Sequence, residues 1–127
     1  MVLAKITCNK NRSRILGEFF IIMAAAIMFL GRHAGILNTV IFEYKQIKLL
    51  GWGLSHFIFF FIVGLICTKQ PVMFMVIGIC WELFEYFYGH LTNDVLYWTS
   101  GGIQGQLMDI LMNFLGYMSA QLLSYYI

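Results

Sequence analysis

Four stretches of the chain are apolar over nearly their whole length. They cover residues 15–31, 50–68, 72–88 and 105–126. At about 1.5 Å of rise per residue, helices of this length cross a hydrocarbon layer of about 30 Å. The pattern therefore predicts an all-α fold, in which residues 1–127 form a single membrane domain built as a polytopic bundle of about four transmembrane helices.

The segments between these stretches differ in character. Residues 34–49 mix apolar and charged side chains, which predicts a short helix lying in the membrane interface or, alternatively, an extension of the first helix. Residues 69–71 end in a proline, which suits a tight turn and the first turn of the third helix. Residues 89–104 are polar and aromatic, contain a Gly-Gly pair and lack helical periodicity, so they predict a loop.

The composition places the chain among membrane proteins. It is 61% apolar and 11% charged, against roughly 45–50% and about 25% in soluble domains. The net charge of +2 is small and scattered, which excludes a nucleic-acid binder with its basic stripe. Three cysteines are too few for a disulfide framework and are expected to act as small apolar side chains.

Basic residues predict the orientation. With four spans, five of the eight lie on the side of the termini and three on the other, and the richer side usually stays cytoplasmic. Both termini are therefore expected in the cytoplasm. The hydrophilic segment from Thr7 to Ser13 is expected to contact a protein partner, because polar chain ends are ordered only when something holds them.

Two polar stripes run along the third and fourth stretches. Their members recur every three or four residues, which places each stripe on one helix face. Small residues in a stripe allow close helix approach, and carboxylates or amides bond across the interface. The stripes are Gly78, Glu82, Glu85 and Gly89 on the third stretch, and Gly105, Asp109, Asn113, Gly116 and Ala120 on the fourth.

An antiparallel pair centred on the loop brings these stripes face to face. Residues at equal depth then pair as Glu85 with Asp109, Glu82 with Asn113, and Gly78 with Gly116. The same construction about the turn at residues 69–71 sets His56 level with Glu82. The predicted intramembrane polar cluster consists of His56, Glu82, Glu85, Asp109 and Asn113.

The cluster has three interpretations. An ionisable side chain in hydrocarbon costs about 2.5–3.5 kcal/mol on insertion scales, so it persists only if it is paired or useful. The polar cluster is either structural glue between helices or a functional site such as a proton relay, a cation site or a head-group pocket. A metal site is disfavoured because one histidine reaches the cluster, so no metal and no cofactor are expected. No motif of a nucleophile, a nucleotide-binding loop or a redox pair supports an enzyme.

Two segments resemble the C-terminal helix pair of VanZ-like membrane proteins. They are Trp81-Glu82-Leu83-Phe84-Glu85 and the run from Gly105 to Tyr117, which carries Asp, Asn and Gly at the family's offsets. The resemblance implies a helical membrane fold and carries over Glu82, Glu85 and Asp109. The family is associated with glycopeptide resistance in some bacteria and has no defined biochemical activity. This chain lacks the basic residue often found before the Asp, so no anionic ligand is implied.

Two functional hypotheses follow. In the first, a VanZ-like membrane protein binds an amphiphile or an ion at the polar cluster. In the second, the chain is a structural membrane component of a larger assembly, either a multisubunit complex or a virus particle. A lipid-processing enzyme is a weaker third hypothesis, since no nucleophile or metal set supports it.

Overall fold

The computed structural model describes residues 10–126 of the chain, and their fold is mostly helical. The long helices fall on the four apolar stretches, as predicted. The structure also contains a small β-hairpin that the sequence pattern did not predict. The elements are α1 (Lys10–Ala34), a 3-10 turn (Ile36–Asn38), β1 (Val40–Tyr44), β2 (Ile47–Leu50), α2 (Gly51–Ile66), α3 (Pro71–Thr92), α4 (Val95–Trp98) and α5 (Ile103–Tyr126).

The segment predicted as an interfacial helix, residues 34–49, is instead a turn followed by an antiparallel hairpin. Gly35 has a φ of 62° and ends α1, so the segment does not extend that helix either. Its Val-Ile-Phe-Glu-Tyr run is β-branched and aromatic, which favours a strand. Glu43 opposes Lys48, and their charged groups pair at 3.1 Å. The mixed apolar and charged composition of this segment predicts an amphipathic helix, but its β-branched and aromatic residues favour strands instead.

The predicted loop at residues 89–104 is shorter than expected. The helix α3 continues to Thr92 and stops at Asn93, which has a φ of 56°. The single-turn helix α4 follows, and the chain then passes through Gly101 and Gly102, both with positive φ, into α5. Such a conformation is easily adopted by glycine. The connection is thus a compact turn that fixes where α5 begins.

The helices α2 and α5 lie parallel and very close together. Cβ atoms added to Gly64 and Gly116 would meet, respectively, the Ala120 Cβ at 2.7 Å and the backbone of Phe57. Only residues without a side chain permit this approach. The prediction that Gly116 faces Gly78 across the α3–α5 interface is therefore wrong, since Gly116 packs against α2. The small residues Gly116 and Ala120 of the α5 stripe thus face α2, the helix that also contributes His56 to the polar residues of the stripe.

Two side chains of α5 hold the turn between α2 and α3. The Tyr117 hydroxyl donates to one backbone carbonyl at 2.8 Å and accepts from one backbone N–H at 2.9 Å. The Gln121 amide does the same at 2.9 and 2.8 Å. Backbone groups left open at helix ends need such partners, above all away from water. The four groups are Cys67 O, Gln70 N, Gly64 O and Lys69 N.

An apolar core lies beside this turn, formed mainly by α2 with side chains of α1, α3 and α5. Its buried members are Leu16, Phe59, Phe60, Val63, Cys67, Phe74 and Tyr117. Cys67 is disulfide-bonded, so the expectation of a mere apolar filler was wrong for this residue. Cys80 is an exposed free thiol.

Among the described residues, one helix is long and apolar enough to cross a membrane. This is α3, and 28% of its most apolar window is buried inside the protein. Large side chains such as Leu83 and Phe87 therefore face outward, 52% and 62% exposed. The helix α2 is also apolar but has only 16 residues. These features give weak support for membrane association.

The close contact of α2 with α5 predicts a sharp difference between two glycines. We expect Gly116→Ala to lower the free energy of unfolding by about 1–3 kcal/mol, because the methyl group collides with the Phe57 backbone. Gly17→Ala on α1 is the control, since no atom lies within 4 Å of its added Cβ. Unfolding in detergent measures both variants. Equal stability of the two would contradict the α2–α5 packing.

Candidate polar site in the helix core

Four of the five predicted site residues meet where α2, α3 and α5 converge. The Nδ1 atom of His56 lies 2.8 Å from Asn113 Oδ1 and 3.5 Å from Glu82 Oε1. Its Nε2 atom lies 3.9 Å from Asp109 Oδ2. The fifth residue, Glu85, is buried on the adjacent turn of α3, close enough to interact electrostatically with Asp109. The juxtaposition predicted from helical spacing and loop symmetry is therefore present.

Glycines on the facing helices make room for the polar side chains. A Cβ on Gly78 of α3 would lie 2.9 Å from Asn113 Nδ2, and one on Gly53 of α2 would lie 3.4 Å from Asp109 Oδ1. A larger residue at Gly78 would push Asn113 away from His56. Small residues in the stripes thus set the depth at which the polar groups meet.

Two further polar residues belong to the site and were not predicted. The Ser100 hydroxyl donates to Asp109 Oδ2 at 2.5 Å, and the Gln106 amide donates to the Glu82 carbonyl at 2.9 Å. Gln106 stands three residues before Asp109, so helical spacing could have found it. Ser100 has a φ of 53° in the turn after α4. No local pattern shows that this turn brings its hydroxyl back onto α5.

Glu82 is buried without satisfying its carboxylate. The residue is 3% exposed, and neither carboxylate oxygen has a hydrogen-bond partner. The nearby Asn113 Nδ2 also lacks one. An unpaired buried polar group costs about 1–3 kcal/mol. Structural glue would pair its hydrogen bonds, so glue does not explain Glu82.

The hydrogen bond of His56 defines its electrostatic role. An amide oxygen only accepts, so Nδ1 donates its proton to Asn113 Oδ1. In the neutral ring, Nε2 then carries the lone pair and faces the Asp109 carboxylate. Two acceptors facing each other attract a positive charge. Among the described side chains, His56 is the one group able to carry a positive charge that pairs with Glu82 and Asp109.

A cleft between α1, α2 and α3 reaches the same cluster. Its polar lining consists of Ser55, His56 and Glu85. The described lining contains no lysine or arginine. Its apolar walls are formed by Phe20, Ile27, Trp52, Phe59, Phe60 and Trp81.

Comparison with known proteins gives no relative. No protein-family model, curated protein or solved structure matches the chain. The VanZ-like resemblance therefore stays a prediction, and the function has to be argued from the site.

The unsatisfied carboxylate predicts a variant more stable than the wild type. In metal-free detergent buffer, we expect Glu82→Met to raise the free energy of unfolding by about 1–3 kcal/mol, because it removes an unpaired buried polar group. Asp109→Leu is the matched control and should lower it, since the buried Ser100 hydroxyl loses its acceptor. Chemical unfolding measures both. A loss at Glu82 as large as that at Asp109 would show that Glu82 is structural glue.

Proposed function

We propose that the chain is a small multi-span membrane protein, VanZ-like in its C-terminal helix pair, that binds an amphiphile in the cleft between α1, α2 and α3. One observation carries the proposal: the cleft has apolar walls, and its lining includes Glu85 and His56. Ligand pockets typically combine a mainly apolar lining with a few polar groups that orient the ligand. An alkyl chain suits the apolar walls, and a polar head group suits the polar lining residues.

The polar residues that line the cleft determine which head group it can bind. Glu85 supplies an acid, His56 an imidazole and Ser55 a hydroxyl. Without a lysine or arginine in the described lining, an anionic head group would meet repulsion at Glu85. A head group that is cationic or donates hydrogen bonds, such as a primary amine, is favoured. Hydrogen bonds to charged groups contribute about 1.5–3 kcal/mol each.

Four membrane spans are part of the proposal. The outward apolar surface of α3 supports it, as do the lengths of α1 and α5, which have 25 and 24 residues. The hairpin and the α2–α3 turn lie at opposite ends of α2, so they would lie on opposite sides of the bilayer. The basic-residue count favours a cytoplasmic location for the α2–α3 turn and the termini. The Cys67 disulfide at this end favours an oxidising compartment instead.

Amine binding should depend on Glu85. We expect Glu85→Gln to weaken binding of a brominated alkylamine at least about tenfold, the equivalent of 1.4 kcal/mol, and to leave the matching alkyl alcohol unaffected. Saturable quenching of Trp52 and Trp81 fluorescence in nonionic detergent measures binding, since both indoles line the cleft. Glu18→Gln is the control, because it removes the same charge from an exposed site on α1. Equal effects of the two substitutions, or no saturable quenching, would refute the cleft proposal.

The topology is tested by labelling single cysteines in a variant without native cysteines. Cysteines at positions 10 and 127 should react from one side of the membrane, and a cysteine at position 46, in the hairpin turn, from the other. Labelling of the termini from the cytoplasm would agree with the basic-residue count, and labelling from the outside would agree with the Cys67 disulfide. Termini that react from opposite sides would contradict four spans.

The alternative function, a structural component of a larger assembly, is supported by the hairpin. Several of its large apolar side chains are about half exposed, among them Ile41, Phe42, Tyr44 and Ile47. The proposed protein partner of the segment from Thr7 to Ser13 belongs to this alternative; residues 7–9 of that segment lie outside the described residues. A purely structural component would show no saturable amphiphile binding.

A further inference from the structure

We propose that His56, Glu82 and Asp109 form a binding site for one divalent transition-metal ion such as Zn²⁺. One potential ligand atom from each residue lies within 4.8 Å of the other two. A tetrahedral ion with bonds of about 2.0–2.2 Å holds its ligands roughly 3.4 Å apart. Small side-chain movements therefore suffice to close the site. The three residues come from α2, α3 and α5, so the helix packing itself assembles it.

The unpaired carboxylate of Glu82 is the second, independent observation. Both carboxylate oxygens of Glu82 lack a hydrogen-bond partner, although the residue is only 3% exposed. The distance of 3.5 Å to His56 Nδ1 is longer than an ordinary N–H···O hydrogen bond. Buried charges in proteins are paired or coordinate metals. A cation beside Glu82 satisfies a group that the described side chains leave open.

Charge balance points to a divalent ion. The three ligands, two carboxylates and a neutral imidazole, carry a total charge of −2, so a +2 ion neutralises the ligand set. A monovalent ion would leave a net charge in the core, where isolated charges are strongly destabilised. The mixture of one nitrogen and two oxygen ligands suits Zn²⁺, Mn²⁺ or Fe²⁺ better than Mg²⁺ or Ca²⁺, which prefer six or more oxygens.

The surrounding residues have the roles that support metal ligands. Asn113 accepts the Nδ1 proton of His56 and so orients the ring with its Nε2 lone pair toward Asp109. Ser100 donates to Asp109 Oδ2 and fixes that carboxylate. Hydrogen bonds of this kind are regular features of metal sites. Three protein ligands leave a fourth position for an exogenous group, and His56 also lines the cleft.

The geometry of the cluster favours a metal ion more than its sequence composition does. Counting ligand types disfavoured a metal because nitrogen and sulfur ligands are few. The structure brings the Glu82 and Asp109 carboxylates and the His56 ring within 4.8 Å of one another and leaves the Glu82 carboxylate without a hydrogen-bond partner.

The test titrates the purified full chain in nonionic detergent, first stripped with a chelator, with Co²⁺ and then Zn²⁺. We expect one Co²⁺ per chain with the visible absorption of a four-coordinate ion, displacement by Zn²⁺, and no displacement by equal Mg²⁺ or Ca²⁺. Zn²⁺ should also raise the midpoint of thermal unfolding. No retained Co²⁺ in the wild type, or displacement by Mg²⁺, would overturn the proposal.

The variants separate the metal site from a general acidic cluster and from the amphiphile cleft. Glu82→Gln should weaken Zn²⁺ binding at least about tenfold, whereas Glu85→Gln, one turn away on the same helix, should weaken it much less, because Glu85 is not one of the three ligands. Alkylamine binding should instead be weakened by Glu85→Gln and be much less affected by Glu82→Gln. Asp109→Asn provides a second ligand variant if Glu82→Gln unfolds. Equal metal binding by Glu82→Gln and wild type, or equal loss in both glutamate variants, would refute the assignment.

Discussion

The close approach of α2 to α5 is the constraint on which the rest of the structure depends. Gly64 and Gly116 let the two backbones meet, and this parallel contact fixes His56 opposite Asp109 and Asn113. The helix α3 then contributes Glu82 from the opposite side of the same cluster. If the backbones stood one side chain further apart, the imidazole would not reach its amide partner. Small residues therefore act here on the geometry of the polar site as much as on packing.

Sequence reasoning was most successful where regular helices determine geometry. The stripe spacing on the third and fourth stretches and the symmetry of their connections predicted the meeting of His56, Glu82, Asp109 and Asn113, and the structure places them together. It was wrong where nonlocal packing or local β preference decided. Gly116 packs against a helix that stripe matching did not consider, and residues 34–49 form a hairpin. The role of Ser100 depends on the path of a turn, which no periodicity encodes.

Two adjacent acids of α3 stand in different environments. Glu85 lines a mainly apolar cleft, whereas Glu82 lies in the core with its carboxylate oxygens unpaired. Their spacing of three residues places both on one helix face, yet of the two only Glu85 lines the cleft. One helix turn thus divides the polar cluster into a part that suits an ion and a part that suits a head group. The shared member is His56, which belongs to both.

The anchoring of the α2–α3 turn by Tyr117 and Gln121 has a consequence for the order of assembly. Both α2 and α3 are synthesised before α5, so they leave the ribosome without the side chains that complete their backbone hydrogen bonds. Until α5 arrives, the turn needs water or another protein to satisfy its open groups. The helical hairpin of α2 and α3 is therefore an unfinished intermediate during biogenesis, and the insertion of α5 both locks the turn and closes the polar cluster.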